Sequence, residues 1–531
     1  MSTDTTRPGT TRVDTPPPRS SREIWTVMSG PLLCILLAML DNTIVGPALP
    51  TIVGDLGGLE HLSWVVTGYT LAAAVTALLW GKVGDLLGRK PALLASIGVF
   101  LAGSALTGLS QSMVELIGFR ALQGVGAGGL MVGVLAVVGE LVSPRERGRY
   151  TGVIGAVMPI AMIGGPLVGG WVTDNASWHW IFYLNLPIGL AAMAVVTATL
   201  HLPAGHRDPS RVQIDWAGAG LLTVWASAAV LFASWAGTQY AWASWPVVSL
   251  GVVALVGFVA FVVQERRASD PILPLGIFGS RNFSLAGALA FLTGMAMMGA
   301  SAYLPQFQQL VQGLSATNSG LLLLPLMLTL MVTSICTGLL MSRTGRSRVF
   351  VIVGSVMLVV GMVLLTQVRV DSGTLATGLM MAVLGIGIGA LVQPSQLIAQ
   401  NSVGLRVMGT AMGVNKFLQT MGMSIGTAIM GSLYASRLTE SLTTSLGAQG
   451  SRLASGGTQI PPSVLHRLPA PVQDALHVAV THGIQGVFWV GTAFAVVGLL
   501  VAWFVTEVPL RESVDDTAPA ERAREQLPTD A

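Results

Sequence analysis

Residues 81–90 read Gly81-Lys82-Val83-Gly84-Asp85-Leu86-Leu87-Gly88-Arg89-Lys90. They lie between two apolar runs, 62–81 and 92–111, each of the length a bilayer-spanning helix needs, about 20 residues. The chain therefore reverses at one membrane face within a few residues. Three glycines permit a sharp bend and close helix approach. Lys82, Arg89 and Lys90 mark the face as the positive, cytoplasmic one. Asp85 does not fit a merely basic turn. It is placed to accept from a helix N-terminus, and a later span begins on this side near residue 407. Arg89 is placed to pair with Glu140.

A second copy of the turn follows much later. Gly338-Leu339-Leu340-Met341-Ser342-Arg343-Thr344-Gly345-Arg346-Ser347 shares the frame G-x6-G-R. Fourteen apolar windows give the context: 28–50, 62–81, 92–111, 114–138, 150–171, 181–201, 214–235, 245–264, 283–305, 318–341, 348–368, 374–398, 407–435 and 485–506. The turns follow spans 2 and 10. Gly152, Ala161 and Gly165 in span 5 have the spacing of Gly413, Gly422 and Gly426 in span 13. The repeat offset is eight spans, so spans 7 and 8 read as a helix pair inserted between two six-helix halves. Repeated bundles are a common plan of secondary transporters, with the site between the halves near the midplane.

Composition agrees. Of 531 residues, 10% are charged and 52% hydrophobic, with 64 further glycines; an average soluble domain is roughly 25% charged. Mean hydropathy is +0.69. No soluble interior hides that much apolar surface, which excludes a soluble enzyme and a disordered chain. The net charge of +3 is too small to imply a nucleic-acid partner. Cys34 and Cys336 form no metal-spaced cluster or disulfide framework, and no cofactor is implied.

The expected fold is an all-α integral membrane protein in the lipid bilayer. Residues 1–26 read as a disordered cytoplasmic tail and 27–201 as the first bundle. Residues 202–281 hold the inserted pair and its loops. The second bundle is 282–506, with a long outside loop 436–484, and 507–531 form a second cytoplasmic tail. Cytoplasmic segments would hold nearly all the Lys and Arg, among them Arg145, Arg147, Arg149, Arg207, Arg211, Arg266, Arg267 and Arg281. Only Arg369, Arg437, Arg452 and Arg467 fall opposite, and Arg120 and Lys416 lie inside spans. That bias supports an even span count with both termini inside. Tryptophans such as Trp25, Trp64, Trp171 and Trp245 flank spans as interfacial anchors.

Four stretches carry chemistry. Span 1 contains Leu40-Asp41-Asn42-Thr43, a carboxylate midway through a membrane helix. A low-dielectric site disfavours a charged carboxylate, so such a group suits proton uptake and release. Span 4 opens with Arg120-Ala121-Leu122-Gln123-Gly124, an arginine that is costly unless it faces a polar interior. Counting at 1.5 Å per residue from opposite ends places Asp41 and Arg120 within about a turn or two in height. Span 5 gives Gly152, Gly155, Pro159 and Gly164-Gly165-Pro166-Leu167-Val168-Gly169-Gly170. Proline among glycines kinks a helix and admits backbone-distance packing. After span 5 comes Trp178-His179-Trp180-Ile181-Phe182-Tyr183-Leu184-Asn185-Leu186-Pro187.

Together these stretches resemble the major facilitator superfamily, and specifically its fourteen-span drug:proton antiporter branch. The turn at Gly81, Asp85, Gly88 and Arg89 resembles its signature cytoplasmic loop, with Glu140 as partner in a conformational gate. Arg120 with Gln123 resembles the R-x-x-Q-G motif tied to proton coupling. Gly152, Gly165, Pro166, Gly169 and Gly170 resemble the antiporter motif, with Ala161 where glycine is usual. His179 stands where arginine is common.

The resemblance implies a proton-coupled antiporter that exports amphipathic organic compounds across the plasma membrane by alternating access. Asp41 would carry the proton and Arg120 would bias its release. Spans 1, 4, 9 and 12 would line the cavity, with Gln123, Met295, Met298, Tyr303, Gln306, Phe307, Gln393 and Gln396 as adaptable groups. The partners are then a small organic substrate, protons and lipid, with a monomeric protein. Span 10 has no acid, which counts against a dicationic substrate.

Other readings fare worse. Gly124-x-Gly126-x-x-Gly129 fits a dinucleotide fingerprint but lies mid-span with no strand before it. Gly422-x-Ser424-x-Gly426 fits a nucleophile elbow but is also mid-span. The sequence contains no G-x4-G-K-[ST] phosphate loop. A nutrient importer is disfavoured by the Gly-Pro-Gly-Gly kink. A channel or sensor is disfavoured by the lone Asp41/Arg120 pair, since channels line pores with charge rings.

Overall fold

A computed structural model describes residues 21–57, 61–201, 215–237, 239–314, 322–447, 450 and 469–507. Within them the chain is helical, with one isolated β-bridge, Ala236 to Tyr240. The first half holds α1 (Ser21–Leu56), α2 (Leu62–Leu87), α3 (Arg89–Gly108), α4 (Met113–Leu141) and α5 (Pro144–Asn175). Short α6 (Trp180–Tyr183) and α7 (Asn185–Thr199) together fill the sixth window. Then come α8 (Trp216–Trp235) and α9 (Trp245–Arg267). The second half holds α10 (Arg281–Leu310), α11 (Leu324–Thr344), α12 (Arg348–Leu365), α13 (Thr374–Asn401), α14 (Met408–Leu446) and α15 (Ala470–Trp503).

Each of the fourteen windows is thus occupied by helix. Thirteen of the helical stretches are long and apolar enough to cross a membrane. The exception is α14, diluted by glycine, threonine, serine and Lys416. It does not need a fully apolar surface, because α2, α8, α10 and α15 all pack on it.

Local sequence explains the ends. Ser112 accepts from Glu115 N–H at the start of α4, while Glu115 accepts from Gln111 N–H, a reciprocal cap of the type that satisfies free helix-end donors. Gly88, between α2 and α3, has φ +96°, and Gly345, ending α11, has φ +70°. A side chain at either would be strained, which is why the repeated turn keeps both glycines.

Several helices outrun the apolar windows. α1 begins at Ser21, inside the expected tail. α14 runs to Leu446 and α15 starts at Ala470, so both ends of the expected outside loop are helical. Hydropathy stops at the membrane interface, whereas a helix continues into water as long as its backbone is satisfied. Residues 1–20, 202–214, 451–468 and 508–531, with Arg207, Arg211, Arg452 and Arg467, lie outside the described residues.

The halves meet along two main seams, α2 on α14 and α5 on α11. Shifting by eight spans exchanges these seams, as the repeat requires. The hairpin α8–α9 leans on α2 and α14 through α8. It leaves Val252, Leu255, Val256 and Val259 of α9 exposed, as a lipid-facing helix would.

Candidate functional site

Asp41 is completely buried on α1, and Arg120 on α4 is 1% exposed. Arg120 Nη1 donates to Asp41 Oδ2 at 2.6 Å and to Gln123 Oε1 at 2.9 Å. Gln123 Nε2 donates to Asp41 Oδ1 at 2.8 Å, and Asn185 Nδ2 donates to the same oxygen at 2.7 Å. Asn185 Nδ2 also reaches Ser104 Oγ at 2.9 Å. The guanidinium lies over the Tyr69 ring, 4.1 Å from its centroid, and 5.8 Å from that of Phe182. Helices α4 and α7 thus supply the direct partners of a carboxylate on α1, and α2 and α3 support them. Such a pair is held by desolvated charge attraction, and removing one partner leaves the other uncompensated. Two atoms in the cluster, Arg120 Nε and Asn185 Oδ1, have no hydrogen-bond partner.

The turn at residue 81 forms a second cluster, where the halves touch. Asp85 Oδ1 accepts from Gly409 N–H at 3.0 Å. Asp85 Oδ2 accepts from the N–H and hydroxyl of Thr410 at 2.8 and 2.7 Å. The acid thus caps α14, where a helix's positive end favours negative charge. Arg89 is ion-paired with Asp85 and, through Nε at 2.9 Å, with Glu140. It also donates to the Leu405 carbonyl at 3.2 Å. Gly81 lies so close to Gly409 that a Cβ would collide with the Gly409 carbonyl. Beside the other seam, Arg147 of α5 reaches Asn401 Oδ1 of α13 at 3.0 Å. This end of the molecule is closed.

Helix α5 carries the third group. A Cβ on Gly165 would strike Thr43, and one on Gly169 would strike the Ile44 carbonyl. Thr43 Oγ1 donates to the Ala161 carbonyl at 2.9 Å. Gly152 packs against Ser334 and Gly338 of α11. So α5 is pressed onto α1 just beyond Asp41 and onto α11 lower down. Gly164 and Gly170 differ, with their nearest neighbours 3.9 and 4.0 Å from a Cβ. Pro166 is exposed.

The expected cavity residues divide. Gln123 belongs to the Asp41 cluster. Met295 underlies Gly426, and Tyr303 faces Tyr434 with ring centroids 5.2 Å apart. Phe307 is fully buried, and Gln393 covers Gly155 on the α5 seam. Met298, Gln306 and Gln396 are only partly buried.

Comparison with known proteins decides the family. The Major Facilitator Superfamily profile matches residues 32–427. The chain belongs to the major facilitator superfamily. The uncharacterized MFS-type transporter Rv1877 of Mycobacterium tuberculosis is 41% identical over 91% of this chain and 69% of its own. The multidrug transporter protein MdtP of Bacillus subtilis is 31% identical over 94% and 96%. Multidrug resistance protein 3 of the same species is 33% identical over 86% and 91%. Among solved structures, the proton:xylose symporter XylE is 13% identical with a TM-score of 0.60, covering 94% of this chain and 99% of its own. The human organic anion transporter MFSD10 has the same score at 16% identity, covering 92% and 100%. At those identities the likeness is one of fold.

As a member of the superfamily the protein is a multi-pass membrane transporter and not an enzyme. Its site holds more than the sequence motifs marked. Asn185, Ser104 and Tyr69 complete the shell around Asp41 and Arg120. The signal for Asn185 was present: an amide inside an apolar window, followed by proline. His179, where the superfamily branch commonly has arginine, stacks on Trp178 with ring centroids 3.7 Å apart. Burial lowers its pKa from the ordinary imidazole value.

Proposed function

We propose that the protein is a proton-coupled antiporter that exports amphipathic organic compounds across the plasma membrane, with both termini cytoplasmic and the monomer as the working unit. The observation that carries this reading is the Asp41–Arg120 ion pair, both of whose side chains are buried inside the first bundle. As a carboxylate, Asp41 attracts Arg120 and accepts from Gln123 and Asn185. A proton on Asp41 removes that charge and weakens each of these bonds. Arg120 is then left as a cation without its counter-ion, which favours an arrangement that opens the site. Arginine keeps its charge throughout, so it favours return of the proton on one side.

The route from chemistry to motion is short. Thr43 sits two residues beyond Asp41 and bonds to α5, and α5 packs on α11 of the other half. A shift of α1 at Asp41 therefore presses on a seam between the bundles. Asp85, Arg89 and Glu140 close one end and would release when the bundles rock the other way. The tight α5 seam suits an antiporter, which must not open to both sides at once. The names multidrug transporter and multidrug resistance protein, borne by relatives that match along most of their length, support varied organic substrates.

The test uses everted membrane vesicles acidified inside. Adding members of a panel of amphipathic drugs of both charge signs should include compounds that dissipate the pH gradient as proton leaves and drug enters. Asp41→Asn should not respond. A gradient that wild-type protein leaves untouched by a broad drug panel, or uptake of the drug in right-side-out vesicles driven by an inward proton gradient, overturns export by antiport.

A further inference from the structure

One charged side chain in the membrane interior has no part in the pair just described. Lys416 lies in the first third of α14. Its Nζ donates to Gln419 Oε1 at 3.1 Å, and no carboxylate among the described residues pairs with it. A lysine ammonium has three donors. Asp41 and Arg120 offset one another, so Lys416 leaves this region with a net positive charge. A lone cation there is costly and faces protein interior or a water-filled cavity rather than lipid.

The packing of α14 shows where it faces. Gly409 and Gly413 press on α2, at Gly81 and Ala77. The Phe417 ring lies 5.4 Å from that of Trp225 on α8. Leu418, Gly422 and Gly426 meet α10 at Gly287, Phe291 and Met295. At 100° per residue these contacts leave Lys416 on the remaining side, with Gln419 and Met423 at its border with α10, where Gly294 meets their backbone. Helices α4 and α13 of the two halves also pack on α14, and that side turns toward them. Lys416 is partly buried rather than sealed, so an entering molecule can reach it. Asn415, next in sequence, lies about 100° round the helix on the α10 side and is 5% exposed, so it does not share this face. Lys416 thus holds unused donors and lacks an anion.

Resting on the export reading above, we propose that Lys416 forms the anion-binding subsite of the transport cavity, and that the substrate class is amphipathic organic acids: an apolar body with a carboxylate or sulfonate. The acid group meets Lys416 Nζ. Gln419 holds the ammonium in place until then. The proton carrier is a separate group, Asp41. The α11 span, which has no acid, offers a cationic drug no counter-charge, in keeping with this assignment.

Tetraphenylborate and tetraphenylphosphonium test it, since they share size and shape and differ in the sign of charge. Their affinities for the purified full-length protein in detergent are measured by titration, for wild type, Lys416→Gln, Lys416→Met and Lys416→Arg. The ratio of anion to cation affinity, compared between variants, cancels the ions' different partition into micelles. It should fall about tenfold or more in the Gln and Met variants, as expected for loss of one charge from a partly desolvated site, and stay near wild type in Lys416→Arg. A ratio unchanged in either neutral variant overturns the subsite. Two neutral replacements of different polarity guard against one failing to fold. The measurement needs no proton gradient and no direction of transport. A reduced ratio together with normal export by Asp41→Asn would therefore sink proton coupling and leave the anion subsite standing.

Discussion

The carboxylate of Asp85 takes both the backbone N–H and the hydroxyl of Thr410. An acid in the turn between α2 and α3 of one half thus caps a helix of the other. Asp85→Asn keeps an acceptor and loses the charge. Capping and helix-dipole contributions together are worth about 1–2 kcal/mol, so the open population of this end should rise about 5- to 30-fold. Spin labels at Leu87 and Arg406, both exposed, would read the separation. A distance distribution identical to wild type would show that this cap does not hold the end closed.

Asp41→Asn should stop proton-driven export. It should also cost stability, at most about the 3–5 kcal/mol typical of breaking a buried ion pair, because Arg120 keeps its charge. Adding Arg120→Gln should restore part of the thermal stability but none of the export. Export at the wild-type rate by Asp41→Asn would exclude the carboxylate as carrier. Strict additivity of the two stability losses would mean that the pair is not energetically coupled.

Arg120→Lys separates charge from shape. The guanidinium bonds Asp41 and Gln123 from one nitrogen while its plane rests on Tyr69. An ammonium supplies the charge without the planar stack. We expect transport at a small fraction of wild type with near-normal expression. Equal transport and an equal pH profile would show that the site needs only a cation.

Legibility in the sequence followed locality. The turn at Gly81–Lys90 could be read because its glycines, acid and bases lie within a few residues and each has a local reason. Even its distant partners, Glu140 and the start of α14, followed from which helix ends share a membrane face. Asp41 and Arg120 were findable because charge is rare in apolar runs. Asn185 was harder: a single amide is tolerated in many helices, and its role depends on α7 packing on α1. The cavity side chains were the least legible. Met295 and Phe307 have the right chemistry, but residue type does not reveal which helix face turns to a neighbour, and both are packed against neighbouring helices. α14 shows the converse, since its low hydropathy reflects contact with other helices more than with lipid.

Topology is testable with single cysteines in a background lacking Cys34 and Cys336. Thr344 and Asp371 are exposed at opposite ends of α12. Thr344→Cys should react with an impermeant maleimide only in opened cells, and Asp371→Cys in intact ones. Ser347 is a poor position, since it is 4% exposed and its N–H is taken by Glu507. Labelling of Thr344→Cys in intact cells would invert the proposed orientation.

The α5 glycines provide a paired comparison within one motif. Gly165 and Gly170 sit in one short run, yet only the first has a neighbour at backbone distance. A side chain at Gly165 meets Thr43, whose hydroxyl already bonds the Ala161 carbonyl. A side chain at Gly170 meets nothing nearer than Pro47 Cβ at 4.0 Å. Overpacking at Gly165→Leu should therefore cost about 1–3 kcal/mol, while Gly170→Ala should be close to neutral. Backbone bonds inside a membrane helix hold even when packing fails, so the loss should show in function before insertion. We expect Gly165→Leu to reach the membrane in near-normal amount and either to leak protons down an imposed gradient or to stop exporting. Gly170→Ala should do neither. Equal behaviour of the two variants would mean that the α1–α5 contact is packing without a part in coupling, and that Thr43 does not pass the state of Asp41 to the seam between the halves.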